Sequence, residues 1–301
     1  MKKGWKAYDK GLVCRGKTYE EGKIFEEEKA EMCRYGMHYC DNPVDLMHYH
    51  DLIDTFGNLM EVTEVEDLSN DVISEDDGHS KKYVTTKLKI GRRVGFAEWV
   101  DAVVHFCINE CNDASGGADS QLASSEDEFS LCATSEDHSR IVSSGDASSF
   151  AIAGCDSQLV SSGDYSQLAT TGDYSQLVAS GNVSFLASSG SFSQLVSSGL
   201  CSRLATSGNY SRLATSGDYS QLASSGNCAQ LAALGGSSVV AAIGINNMAR
   251  ATKGSWIVLA EYDTRNKPIH VKARKVDGKR IKANTFYCLK NGKFKIVGEE
   301  E

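Results

Sequence analysis

Five side chains that can bind a metal ion lie close together near the amino terminus: Cys33, His38, Cys40, His48 and His50. Thiolate sulfur and imidazole nitrogen are the usual ligands of zinc, which takes four of them in a structural site. Cys33, His38 and Cys40 would need a fourth ligand, which either His48 or His50 could supply. We predict His50 as that ligand. The spacing matches no standard zinc finger, so the alternative is a compact unit with buried cysteines and surface histidines.

A second arrangement in the same segment would suit enzyme chemistry. Arg15 before Gly16, the histidines, and Glu61 on a predicted strand loosely resemble the chain order of ADP-ribosyltransferases. That resemblance implies that Arg15 faces a phosphate and that Glu61 polarises a ribose hydroxyl. It requires one pocket that joins Arg15, His38 and Glu61, and the aromatic–Ser–Thr–Ser strand of those enzymes is missing. The alternative is that Arg15 pairs with a nearby acid and the glycines form turns, so we predict that the protein is not an enzyme.

The elements around these residues are dominated by a repeat in the middle of the chain. Glycine recurs every nine residues from Gly145 to Gly244, and leucine does so from Leu159 to Leu231. Nine is not a helical period, and the Gly-Asp and Gly-Asn pairs are turn signals. In a unit such as Tyr165-Ser166-Gln167-Leu168, alternation places Ser and Leu inward and Tyr and Gln outward.

One unit of nine residues, about 30 Å of extended chain, is too short to fold back and enclose a leucine. Two units per coil solve this, because leucines then enter from both sides. The sequence therefore predicts a mainly β protein with a parallel, right-handed β-solenoid over residues 113–250 and about seven coils. Leu159, Leu177, Leu195, Leu213 and Leu231 should form one ladder, and Leu168, Leu186, Leu204 and Leu222 the facing one.

The ends of this ladder follow from the same spacing. Phe150, Ile141, Leu131 and Leu122 are expected to hold the leucine position in the early units, with one extra residue between Leu131 and Ile141. Val240 is expected to be the last apolar member. Each end of the solenoid needs a cap, because an open coil exposes core and strand edges.

The repeat resembles the pentapeptide-repeat β-helices and the calcium-binding nonapeptide β-rolls. Coils of 18 rather than 20 residues separate it from the former. Ser166 holds the position of the calcium-binding aspartate of the latter, so a calcium ladder is not predicted. An ice-binding face is not predicted either, because Thr and Ser alternate without a regular Thr-x-Thr spacing.

Two flanking segments complete the predicted organisation. Residues 1–112 form a small α/β unit and cap, with strands and an amphipathic helix from Phe96 to Cys111. Residues 251–301 form a β-rich C-terminal cap, with hairpin turns at Asp277-Gly278 and Asn291-Gly292. This last segment either caps the final coil or returns to complete the N-terminal unit.

Both flanks carry short motifs of fixed spacing. These are Gly4-Trp5-Lys6-Ala7-Tyr8-Asp9, Cys14-Arg15-Gly16, Tyr19-Glu20-x-Gly22, Cys33-x-x-Gly36-x-His38-x-Cys40-x-Asn42-Pro43-x-Asp45 and Val276-Asp277-Gly278-x-x-Ile281-Lys282-Ala283-x-Thr285-x-Tyr287. They resemble an uncharacterised family of bacterial and phage proteins whose members carry a Gly- and Ala-rich repeat between the same two ends. The resemblance implies phage or prophage origin and brings no known activity.

Charge and composition bound the cellular setting. The net charge is −9, with −8 on residues 113–250 and +6 on residues 251–301. Direct nucleic-acid binding and membrane association are therefore not predicted, and no run approaches the ~20 apolar residues that span a bilayer. No signal peptide follows Met1. Cys155, Cys201 and Cys228 stand where other units carry Ser, Asp, Tyr or Phe, which favours a reducing cytoplasm.

These observations predict a structural or protein-interaction protein that binds an unidentified protein or forms a homodimer and uses no cofactor. The predicted interaction face consists of Tyr165, Tyr174, Tyr210, Tyr219, Gln167, Gln176, Arg203 and Arg212. One alternative is an acidic DNA mimic that inhibits a host nucleic-acid enzyme, as some pentapeptide-repeat proteins do. The other is the zinc-binding or ADP-ribosyltransferase-like N-terminal unit.

Overall fold

The computed structural model describes residues 2–54, 56–69, 73–76, 80–110, 121–124 and 130–298. The chain divides into two compact units, Met1–Asn109 and Glu110–Glu301, which we describe separately. The predicted C-terminal segment belongs to the second unit together with the solenoid.

Small antiparallel sheets form the N-terminal unit. One sheet has the order β1 (Lys2–Tyr8), β6 (Glu61–Asp67), β9 (Lys87–Val94) and β4 (Ile24–Glu26), and another has the order β5 (Met37–Tyr39), β8 (Lys81–Thr85) and β7 (Ile73–Asp76). β2 (Val13–Cys14) and β3 (Lys17–Thr18) form a hairpin. A 3₁₀ turn at Pro43–Asp45 leads into α1 (Leu46–Tyr49), and α2 (Phe96–Glu110) is the predicted amphipathic helix.

The second unit is a solenoid of four-residue strands that alternate between two parallel sheets. The first sheet contains β10 (Gln121–Ser124), β12 (Arg140–Ser143), β14 (Gln158–Ser161), β16 (Gln176–Ala179), β18 (Gln194–Ser197), β20 (Arg212–Thr215), β22 (Gln230–Ala233) and β24 (Met248–Ala251). The second contains β11 (Leu131–Thr134), β13 (Ser149–Ile152), β15 (Gln167–Thr170), β17 (Phe185–Ser188), β19 (Arg203–Thr206), β21 (Gln221–Ser224), β23 (Val239–Ala242) and β25 (Trp256–Tyr262).

The predicted solenoid is confirmed, with about 7 turns between residues 131 and 259. Leu159 pairs with Leu177 in one sheet and Leu168 pairs with Leu186 in the other, so each coil contains two units. The leucines of both ladders are buried in one continuous core. The small Ser166 points inward as predicted, and its hydroxyl donates to the Gly163 carbonyl at 2.9 Å.

Close stacking of backbones explains the glycine period better than turn formation does. A Cβ atom on Gly190 would lie 1.9 Å from the carbonyl oxygen of Gly172 in the preceding coil. The same clash recurs along the solenoid, for example at Gly172 against Gly154. The repeated glycines with this contact do not have positive φ, so they are needed for space rather than for conformation.

The corners of the coils differ from the predicted strands. Strand β15 begins at Gln167, whereas Tyr165 lies in the preceding turn with a φ of 59°. Tyr174 has a φ of 58° at the equivalent corner, and this left-handed region is strained for a bulky side chain. Tyr165 is exposed, but alternation of side chains alone cannot distinguish a strand from the turn that leads into it.

Both ends of the ladder also differ from the prediction. Cys132 pairs with Phe150 and takes the inward position, whereas Leu131 pairs with Ser149 and is 85% exposed. The extra residue therefore lies before Cys132 rather than after Leu131. At the other end, Ile257 pairs in parallel with Val240, so the solenoid continues past residue 250.

The C-terminal segment closes the last coil. β26 (Pro268–Lys275) pairs antiparallel with β25, and β27 (Tyr287–Lys290) pairs with β24 and with β28 (Lys293–Ile296). Val276, Ile281, Tyr287 and Leu289 join the leucines in the same core. Capping of the first coil by the N-terminal unit was also expected, but the junction at residues 111–120 lies outside the described residues.

Candidate functional site

The outward surface of the second solenoid sheet is open to solvent, and we call it the free face. Its middle row consists of the exposed alanines Ala151, Ala169, Ala187, Ala205 and Ala223 and the half-buried Ala241. A row of Gln167, Phe185, Arg203, Gln221, Val239 and Trp256 lies on one side, and a row of Thr171, Ser189, Ser207, Ser225 and Ile243 lies on the other. A shallow groove of about 930 Å³ runs between the alanine row and the hydroxyl row.

The outward surface of the first solenoid sheet is different, because its side chains are buried within the chain. Val160, Val178, Val196, Ala214 and Ala232 all point away from the leucine core and are fully buried. These five positions of the first sheet therefore present no exposed side chain. This asymmetry between two sheets of near-identical sequence makes the free face the candidate binding surface.

The structure divides the predicted interaction residues between different surfaces. Gln167 and Arg203 lie on the free face, whereas Gln176 and Arg212 lie half-buried on the first sheet. The prediction of a single face was therefore wrong. Units that are nine residues apart occupy opposite sides of a coil, so only every second unit presents its outward side chains to the same side.

The four predicted tyrosines divide in the same way between two corners. Tyr165 and Tyr219 precede strands of the free face, whereas Tyr174 and Tyr210 follow such strands. Phe192 completes the second row, with ring centroids 5.0 Å from each tyrosine and nearly parallel planes. Exposed aromatic rings on strained backbone therefore border the free face on one side. These aromatic residues are 18 residues apart in the sequence, and a search for that spacing would have predicted the stack.

The acidic residues at the other turn positions have a structural role. The Asp164 carboxylate accepts a hydrogen bond from the backbone amide of Asn182, one coil away, at 2.6 Å. The Asn182 amide oxygen accepts in turn from Leu200 at 2.9 Å, so a neutral side chain performs the same function. Turn chemistry accounts for these acids without the mimicry of DNA.

A cavity of about 130 Å³ in the N-terminal unit brings together most of the residues that suggested chemistry, and we call it the thiol pocket. Its polar lining consists of Lys6, Cys14, Arg15, Cys33, His38, Tyr39, Cys40, Tyr49, His50 and Lys82. The sequence motifs indicated the cysteines, Arg15 and the histidines. They gave no chemical role to Lys6 or Lys82, which come from β1 and β8 and gain their position only through the fold.

The predicted zinc ligands share this pocket but are not arranged around a common point. Among the described residues, no group of three His, Cys, Asp or Glu side chains has the geometry to hold a metal ion. The His38 Nε2 atom accepts a hydrogen bond from the Cys33 backbone amide at 3.0 Å, which occupies its lone pair. Burial raises the pKa of the Cys40 thiol, which opposes the thiolate that zinc requires. The geometry therefore does not support the zinc hypothesis.

Glu61 lies apart from the thiol pocket. One carboxylate oxygen accepts hydrogen bonds from the backbone amides of Gly11 and Leu12, each at 2.9 Å, and the other pairs with Arg93 at 3.2 Å. Arg15 and His38 line one cavity, but Glu61 does not join them. The arrangement required by the ADP-ribosyltransferase hypothesis is therefore not formed.

Comparison with known proteins adds one finding for this unit. Residues 2–102 match the family model of a domain of unknown function (DUF7666). The matched range contains every residue that lines the thiol pocket. Searches of curated proteins and of solved structures found no match. In the part of the chain that the structure describes, no helix has the length and apolar character to cross a membrane.

Proposed function

We propose that the chain is a structural, non-enzymatic protein of phage or prophage origin that assembles with a second copy of itself through the free face. The observation that carries the proposal is an exposed sheet surface of alanines, where the equivalent surface of the other sheet is buried. The interchange of cysteine with serine and aspartate in the repeat supports a cytoplasmic setting.

The dimensions of the free face suit a stable dimer. Nine strands from β11 to β26 span roughly 38 Å at the usual spacing between strands, and the width between the corner rows is roughly 20 Å. Two such faces would bury roughly 1,500 Å² in total, which is within the usual range for specific protein interfaces. Small alanine side chains allow the two sheets to approach to the ~10 Å at which sheets pack.

Charge favours an antiparallel arrangement of the two solenoids. Exposed Glu136 and Asp137 lie in the first coils, whereas the exposed Arg274 and Lys275 lie on β26 at the opposite end of the same sheet. Antiparallel packing places each basic end against the acidic end of the partner. Such complementarity selects the orientation and accelerates association.

The side chains of the outer row define a register for this dimer. A twofold axis parallel to the strands, between β19 and β21, would place Phe185 of one copy against Val239 of the other. It would also place Gln167 against Trp256 and would keep Arg203 from facing its own copy. Phe185, Val239 and Trp256 are large apolar side chains with 36%, 43% and 46% exposure, and this register buries all three.

Substitution of Ala205 by arginine is expected to abolish the dimer. The change places a charged side chain at the centre of the face, where it would separate the sheets, and should weaken association by at least about 100-fold. Light scattering coupled to gel filtration should give twice the 32.5 kDa of one chain for wild type and a single chain for Ala205→Arg.

Ser216→Arg is the matched control, because Ser216 is exposed but follows a strand of the first sheet. It should leave the dimer intact. A wild-type protein that remains monomeric at tens of micromolar, or equal dissociation of both variants, would refute the proposal.

A further inference from the structure

The floor of the thiol pocket contains a buried lysine without a counter-charge. Lys6 on β1 is 4% exposed, and its ammonium donates to the His38 carbonyl at 2.8 Å and lies 3.7 Å from the Cys14 sulfur. No carboxylate of the described residues lies within salt-bridge distance of it. Burial lowers the pKa of Lys6, and an anion within the cavity would stabilise its charged form.

Two further cations stand at the mouth of the same cavity. Arg15 is exposed, and a tight turn with positive φ at Arg15 and Gly16 directs it toward Cys33, whose carbonyl accepts from it at 3.3 Å. The Lys82 ammonium lies 3.1 Å from the Cys33 sulfur and 3.0 Å from an oxygen of the exposed Glu75. Neither Asp nor Glu lines the cavity, so three cations face it and no acid does.

His38 adds no fourth charge, and its ring is hydrogen-bonded to the Gly36 backbone. Burial, with help from the nearby cations, lowers the pKa of His38 to about 4, so its ring is neutral at physiological pH. Because its Nε2 atom accepts from Cys33, the ring proton is on Nδ1. The His38 and Cys33 carbonyls already accept hydrogen bonds from Lys6 and Arg15, which leaves mainly donors available to a ligand.

We propose that the thiol pocket binds one phosphate-sized oxyanion between Lys6, Arg15 and Lys82. Phosphate oxygens accept hydrogen bonds and match a lining of donors, and the guanidinium of arginine suits them well. The cavity of about 130 Å³ is well below the volume of a site for a whole drug-sized ligand, so it accommodates a single group. That group is either free inorganic phosphate or the terminal phosphate of a larger molecule. This site is independent of the proposed dimer.

Calorimetric titration of the full-length protein with sodium phosphate should give saturable binding at millimolar concentration or below, and sodium chloride of equal ionic strength should give none. Arg15→Asn should weaken binding by about tenfold, because it removes a charged hydrogen-bond donor while asparagine tolerates the positive φ. Lys87→Gln is the control, since Lys87 lies outside the cavity and pairs with Glu26 at 2.7 Å. Lys82→Gln serves as the second pocket variant if Arg15→Asn does not fold.

A parallel titration with O-phosphoserine separates the two sources of phosphate. Binding of phosphoserine as tight as that of inorganic phosphate would assign the site to a phosphate monoester, and binding of inorganic phosphate alone would assign it to the free ion. Bound phosphate should also slow the alkylation of Cys33 by iodoacetamide, because the anion would cover its sulfur. No saturable binding by wild type, or equal affinity of wild type and the pocket variants, would overturn the proposal.

Discussion

Gly190→Ala is expected to destabilise the solenoid by roughly 3 kcal/mol or more, because the new methyl group meets backbone rather than a movable side chain. The added Cβ would lie 1.9 Å from the Gly172 carbonyl oxygen, and the coils must separate to admit it. Separation breaks the backbone hydrogen bonds between these two coils, such as the one from the Tyr174 amide to the Ser191 carbonyl at 2.9 Å. Urea denaturation followed by circular dichroism measures the loss.

Gly236→Ala is the matched control in the same solenoid. The nearest atom to its added Cβ is a carboxylate oxygen of Asp218 at 3.4 Å, at ordinary contact distance. This variant should unfold within about 0.5 kcal/mol of wild type. Equal stability of the two variants would mean that the coils do not stack at the described distance.

Leu195→Ala is expected to lower the free energy of unfolding by about 3 kcal/mol, since Leu195 is fully buried and its removal leaves a cavity between rigid coils. Leu131→Ala removes the same atoms from a leucine that is 85% exposed, and it should change the free energy by less than about 0.5 kcal/mol. The same denaturation experiment compares the two. A large loss of stability in Leu131→Ala would mean that Leu131 is buried in the leucine position, as the sequence predicted. It would contradict the pairing of Cys132 with Phe150.

The architecture of the solenoid could be predicted because one physical requirement repeats along the chain. Every unit must bury its leucine, and the uniform spacing of Leu159, Leu168 and Leu177 shows that requirement many times. The same logic failed at Leu131, where an inserted residue shifts the register by one, so that Cys132 faces inward and Leu131 faces outward. Because the unit that contains Leu131 is irregular, the regular spacing of the other units could not predict which of its side chains point inward.

The surfaces of the solenoid were harder to predict than its core. Gln167 and Gln176 occupy the same position in the repeat, but one is exposed and the other is half-buried. Sequence periodicity describes each unit equally and cannot show which of the two sheets has buried outward side chains. The free face could therefore be identified only from the structure and not from the sequence.

The thiol pocket shows a different limit. Cys33, Cys40, Arg15 and His38 belong to residue types that suggest chemistry at once, and the sequence indicated them for zinc binding or catalysis. Lys6 has the sequence context of an ordinary polar residue in a strand, and only the fold shows that it is buried and donates to the His38 carbonyl. The two lysines are the reason why we propose an anion rather than a metal ion as the ligand of this cluster.

Cross-linking across the proposed interface tests the central claim, assembly through the free face, most directly. Ala205→Cys and Ala223→Cys lie on β19 and β21, which oppose each other in the antiparallel dimer. Cys33→Ser and Cys201→Ser should be present in both proteins, because these two native thiols are exposed. A mixture of the two variants should form a disulfide between unlike chains under mild oxidation, faster than either variant does alone. A mixture that stays uncross-linked, or cross-links no faster than each variant by itself, would contradict the account.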